Sequence, residues 1–195
     1  MERTEPRTGR TLRAISDRFE AREEGGEKFI EGYFAVYGSD YEIYPGMTES
    51  IAPGAFGASL AGDVRMLCNH DTTLVLGRTT AGTLEIREDA HGVWARARIN
   101  PHDSEAVNTH ARVMRHDVDG GSIGFTIRNE EYSTRADGTD HWTITEAELF
   151  EVSVCTFPAY TDTDVSARSA DLEAVKKQKR EAWETEMMRR LKKCR

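Results

Sequence analysis

The chain has 195 residues, 31% of them charged, and a net charge of −8. That is length for one ordinary domain that folds around its own core, and the acidic balance argues against nucleic acid as the main partner, because phosphate contact needs clustered positive charge. Cys68, Cys155 and Cys194 are far apart and in no CxxC spacing, which indicates neither a disulfide framework nor a zinc site and fits a reducing compartment. No apolar run approaches the ~20 residues that span a bilayer, and Met1 to Arg7 has no apolar signal core, so the chain reads as cytoplasmic with no membrane partner.

Residues 1–10 are polar and aperiodic, the pattern of a disordered N-terminus. Thr11 to Glu24 mixes apolar residues with many charges and reads as a weak strand or short helix. Phe29 to Tyr37 is aromatic and β-branched, a strand that pairs as a hairpin across Gly25-Gly26. Tyr41 to Gly57 holds Pro45, Gly46, Pro53, Gly54 and Gly57, which predicts a long structured loop with at most a short helix near Ala55 to Leu60. Val64 to Cys68 is a short strand leading into Asn69-His70-Asp71. Thr83 to Glu88 and Val93 to Ile99 alternate about a turn at Asp89 to Gly92, a second hairpin. Pro101 to Ser104 starts a helix with Asp103 or Ser104 as its cap, and Ala106, Val107, His110, Val113 and Met114 form its inward face.

Asp119-Gly120-Gly121-Ser122-Ile123-Gly124-Phe125 then opens a buried strand, and after a turn at Asp137-Gly138 a long β-rich run extends from His141 to Phe157. On strict alternation Leu149, Glu151, Ser153 and Cys155 share one face, and Glu148 falls on the other unless a bulge intervenes. Short strands at hairpin spacing with one interior helix indicate a mainly antiparallel β body, a barrel or a sandwich. The last thirty residues differ: Ser166 to Arg195 carries ten Lys or Arg against five Asp or Glu, with apolar residues at helical spacing, an amphipathic helix outside that body.

Ser122 among glycines is a candidate nucleophile, because glycines let backbone N–H groups approach a substrate that a Cβ would block. A serine hydroxyl needs a base to take its proton, and that base needs an orienting group. His70, at a strand end, is the leading base; Glu151, in an apolar strand segment, is the leading orienter. Each has a plain alternative: a turn serine, a solvated turn histidine and an outward-facing glutamate. His102, His110 and His116 lack ligand spacing, so no metal is assigned; His110 reads as a core histidine and His141 as a reserve member of the triad.

The ordered segments Ile30 to Tyr37, Gly54-Ala55-Phe56, Asn69-His70-Asp71 with Gly77-Arg78, Gly121-Ser122-Ile123-Gly124-Phe125, and Glu148 to Ala159 resemble the prohead, or capsid maturation, serine proteases of tailed bacteriophages, relatives of the herpesvirus assembly proteases. The resemblance implies a closed antiparallel β-barrel of the herpesvirus-protease type with surrounding helices over residues 11–165, followed by the basic amphipathic tail of 166–195. It implies His70 as general base, Ser122 as nucleophile and Glu151 as orienter, with His141 and Glu148 open as alternatives for the third position. It further implies an endopeptidase without cofactor or metal, made in the cytoplasm of the infected host and packaged inside the procapsid. There it would cut scaffold protein or the scaffold-like region of the major capsid protein, trim itself, and act as a homodimer. Oxyanion donors are expected from backbone N–H groups near Ser122 or in the Gly77-Arg78 segment. The basic tail is expected to dock on acidic scaffold.

Overall fold

Glycine turns separate the β-branched and aromatic runs into strands, and the elements follow in the order β1 (Thr11–Arg13), β2 (Phe19–Glu24), β3 (Glu27–Val36), β4 (Tyr41–Tyr44), β5 (Met47–Ile51), β6 (Arg65–Cys68), β7 (Asp71–Arg78), β8 (Leu84–Glu88), β9 (Gly92–Arg98), α1 (Ser104–Met114), β10 (Gly120–Thr134) and β11 (Asp140–Cys155). This computed structural model describes residues 11–13, 19–157 and Lys177. The expectation for residues 1–10 lies outside the described residues, as does that for the helix of 166–195 apart from Lys177, which is helical. The chain divides into two units, Met1–Ala159 and Tyr160–Arg195. Every element named above belongs to the first.

One sheet is antiparallel, in the order β2-β3-β9-β8. Gly25 and Gly26, at φ 61° and 84°, make the two-residue turn of its first hairpin, the conformation in which glycine is the least strained residue. The other sheet is mixed, in the order β1-β10-β11-β5-β4, with β6 and β7 attached through β11. Here β11 runs parallel to both β5 and β6. The closed antiparallel barrel is therefore not what the strands form. Two open sheets, one of them mixed, stand in its place, with one α-helix among the described residues instead of a surrounding set. Alternating hydrophobicity reports which face of a strand is buried but not the direction of its neighbour, so the parallel pairings left no mark in the pattern.

Tyr41 to Ile51 is likewise a hairpin, β4 with β5, turning at Pro45-Gly46, and not a loop. Its strand character was hidden because β5 buries Glu49 and Ser50, which composition reads as surface residues. Ala55 to Leu60 forms turns without a helix. Phe56 there is wholly buried and meets Phe125 edge-on at 5.7 Å, in a core that also contains Ile30, Phe34, Met66, Ile123 and Ile144. Each such side chain contributes about 1.5–3 kcal/mol on burial. Asp103 caps α1 by accepting from the N–H groups of Glu105 and Ala106, and the helix buries Ala106, Thr109, His110 and Val113. Met114, expected inward, is 45% exposed at the end of the helix.

Two buried histidines are tied down by the fold. The His110 ring donates to the Arg22 carbonyl at 3.0 Å, and His141 lies against Thr48 Oγ1 at 2.8 Å, Ser50 Oγ at 2.9 Å and the Arg135 guanidinium at 3.1 Å. Burial holds both below the ordinary histidine value, and for His141 the charge of Arg135 adds to the effect. The folded state thus resists protons that the unfolded chain accepts, so stability falls as pH drops through the unfolded value of about 6.5. Thermal denaturation should give a lower Tm at about pH 5.5 than at about pH 7.5, and His141→Gln should narrow that difference. An equally steep profile in the variant would assign the loss to other groups.

Candidate active site

His70 is presented by strain. Cys68 pairs with Asp71 across a two-residue turn, Asn69-His70, with both residues at positive φ (51° and 59°). That is type I′ geometry, and glycine is favoured at its second central position. A histidine there costs on the order of 1 kcal/mol of backbone strain, which points to a use for the ring. The turn is clipped to the end of β11: the Asn69 N–H donates to the Val154 carbonyl at 2.9 Å, and Asn69 Oδ1 accepts from the Thr156 N–H at 2.9 Å.

A bulge aims Glu151 at this ring. On β10 and β11, Ser122 pairs with Ser153, Ile123 with Val152, Gly124 with Glu151 and Phe125 with Leu149, so Phe150 is the extra residue. Paired residues share a face, hence Leu149 joins Val152 and Val154 on the core side while Glu151 and Ser153 join Ser122 on the other. Strict alternation, which puts Leu149 and Glu151 together, is corrected by that one residue. Glu151 is 2% exposed, and its carboxylate accepts from His70 Nδ1 at 2.8 Å and from the Ser153 hydroxyl at 3.0 Å. With the proton on Nδ1, the basic lone pair of His70 is on Nε2.

Gly124 makes room for this carboxylate. A Cβ at that position would lie 2.6 Å from Glu151 Oε1 and 2.8 Å from its Cγ. The glycine of Ser122-Ile123-Gly124 is thus required by a side chain on the neighbouring strand, as well as by any substrate. The same bulge turns Glu148 toward the Ser122 face, but its carboxylate pairs with Arg128 at the surface. His141 lies ten residues from Glu151, about 30 Å along an extended strand, in the polar cluster with Thr48, Ser50 and Arg135. Arg78 is engaged elsewhere: its N–H donates to Thr83 Oγ1 at 3.0 Å and its guanidinium to Asp63 at 2.7 Å.

Ser122 is wholly buried, and its hydroxyl donates to the carbonyl of Arg13 at 2.9 Å and not to His70. Arg13 is on β1, which pairs antiparallel with β10. Sequence reasoning missed this residue, because a buried arginine in a charge-rich stretch looks like surface. Burial pushes the Cys155 thiol up to about 12 and raises that of Cys68, so neither supplies a thiolate at neutral pH. Among the described residues no group of three or more His, Cys, Asp or Glu is arranged to hold a metal ion.

The chain belongs to the caudovirus prohead serine protease family, whose model matches residues 17–178. It is 32% identical over 151 residues to the prohead protease of Enterobacteria phage HK97, an alignment covering 74% of this chain and 61% of that protein. The chain thus spans about 61% of the length of that curated relative. Among solved structures, the bacteriophage T4 capsid assembly protease aligns with 80% of this chain and 100% of its own at a TM-score of 0.49 and 12% identity.

Gly124→Ala should leave the fold intact and break the site. The added methyl forces the Glu151 carboxylate off His70, and the Nδ1–H proton signal of His70, visible by NMR in the wild type at low temperature, should disappear or move. An unchanged signal would mean that Glu151 is not held by the space above Gly124.

Proposed function

We propose that this chain is a serine endopeptidase of phage procapsid maturation, with Ser122 as nucleophile, His70 as general base and Glu151 as the group that orients His70. The observation that carries the reading is the hydrogen bond from His70 Nδ1 to a buried Glu151 carboxylate on the same sheet face as Ser122. Such a carboxylate fixes the tautomer in which Nε2 accepts a proton, and it stabilises the imidazolium that forms. Family membership supplies the reaction class.

In the reaction, Ser122 Oγ turns from the Arg13 carbonyl toward Nε2 of His70 and adds to the carbonyl carbon of a substrate peptide. His70 takes the hydroxyl proton and delivers it to the departing amine, and water then hydrolyses the ester by the reverse sequence. Backbone N–H groups beside Ser122 would bind the developing oxyanion, each worth a factor of about 10² to 10³ in turnover. The substrates are the scaffold or scaffold-like region of the major capsid protein, and the enzyme itself, inside the procapsid in the infected host. Homodimer formation or confinement there raises the active population by mass action.

One observation favours a second reading, a non-enzymatic capsid-associated β module: Ser122 is covered and its hydroxyl is spent on a main-chain carbonyl. Intact mass over time separates the two, using wild type and Ser122→Ala, each alone and mixed with the capsid or scaffold protein encoded beside it. Fragments should appear with wild type and vanish with Ser122→Ala, and Glu151→Gln should slow them by about 10² to 10⁴. Identical masses throughout would favour the binding module.

A further inference from the structure

The cover over Ser122 is made of the chain itself, and its geometry is that of a bound peptide. β1 adds antiparallel to the outer edge of β10, with Thr11 opposite Phe125, Leu12 opposite Gly124 and Arg13 opposite Ile123. An extended peptide binds a sheet edge in this way, with main-chain hydrogen bonds for affinity and side-chain pockets for selectivity. The Arg13 carbonyl lies against Ser122 Oγ. The Arg13 side chain, on the Ile123 side, is 4% exposed and enters a site built on the far strands of the same sheet. Its Nε and Nη2 address the two oxygens of Glu49, the second at 3.3 Å, and its guanidinium carbon stands 5.1 Å from the ring centroid of Tyr41.

Glu49 has no solvent exposure. A forked contact from guanidinium to carboxylate, with an aromatic ring alongside, recognises a basic side chain by charge and shape together. A buried carboxylate that loses such a partner is left with its desolvation penalty, so this site discriminates against neutral and acidic side chains.

We propose that β1 is a resident substrate-like strand and that Glu49 with Tyr41 forms the specificity pocket for an arginine or lysine at the residue whose carbonyl meets Ser122. This rests on Ser122 being the nucleophile. Cleavage then falls on the C-terminal side of a basic residue: Ser122 Oγ bonds to its carbonyl carbon, the C–N bond to the next residue breaks, and the amine leaves with the proton that His70 removed from Ser122. Water then hydrolyses the ester. In the resident strand the hydroxyl instead donates to the carbonyl oxygen, with its proton turned away from His70, which is a bound but unreactive arrangement. A substrate must displace β1 to reach the site.

The test uses the full chain as wild type, Arg13→Ala, and Arg13→Ala with Glu49→Gln, the last removing the buried carboxylate should the single variant not fold. A fluorophosphonate probe reports access to Ser122, and quenched peptides Thr-Leu-Arg-Ala-Ile-Ser, with Arg, Lys or Glu at the third position, report selectivity. Wild type should cut the Arg and Lys peptides after the basic residue with kcat/KM at least about tenfold above the Glu peptide. Loss of Arg13 should speed probe labelling by about tenfold or more, and Glu49→Gln should erase the basic preference. Ser122-dependent hydrolysis without a basic preference in wild type, or equal labelling of wild type and a folded Arg13 variant, overturns this proposal and leaves the protease reading standing. No labelling of folded wild type or variants sinks the protease reading and this proposal with it.

Discussion

The proposed site depends on burying one carboxylate, that of Glu151, with its polar partners in place. Removing an ion from water costs several kcal/mol unless partners replace the lost hydration. The neighbouring structure can be read as the means of doing so. The Phe150 bulge changes the phase of β11 so that Glu151 leaves the core side, Gly124 gives up its side chain to leave space, and Ser153 and His70 supply hydrogen-bond donors. The Asn69-His70 turn accepts left-handed backbone at both residues to bring the ring into place, and Asn69 fastens that turn to β11. Each of these features is unfavourable or neutral alone. Together they support the proposed role of His70, a histidine whose tautomer must be fixed.

How far the sequence could be read follows from the range of the interactions. The hairpins β2-β3 and β8-β9 and the capped helix α1 rest on contacts close in sequence, so glycine pairs, alternation and an Asp103 cap announced them. The β4-β5 hairpin was hidden by Glu49 and Ser50, whose burial depends on a chain segment more than thirty residues away. The closed barrel failed for a related reason: whether a sheet closes is decided by pairing between distant strands. β11 takes β5 and β6 as parallel neighbours, and β1 and β4 remain sheet edges.

For the proposed site, Ser122, His70 and Glu151 could be singled out because each breaks a local rule. A serine sits between glycines, a histidine follows an asparagine in a tight turn, and an acid interrupts an apolar strand. Arg13 and Glu49 break no local rule. Their residue types suit exposed positions, and only the curvature that brings β1 to β4 and β5 makes them a buried pair. The bulge at Phe150 was equally silent, since one extra residue in an apolar run changes no composition, yet it separates Glu151 from Leu149 and brings Glu148 to the Ser122 face.

An edge strand next to the proposed nucleophile, Ser122, poses two problems at once. Its unpaired N–H and C=O groups invite any extended segment, which is the basis of peptide recognition and also of unwanted association. Pairing that edge with the chain's own β1 answers the second without giving up the first, because a three-residue strand forms few ladder bonds and can be exchanged for a longer one. In the proposed exchange the Arg13–Glu49 contact sets the threshold. On that reading an incoming strand without a basic side chain forfeits the forked contact to buried Glu49, whereas one that carries it recovers what β1 gives up. In the proposed arrangement selectivity and self-restraint are the same free-energy difference, read once from the substrate and once from the enzyme.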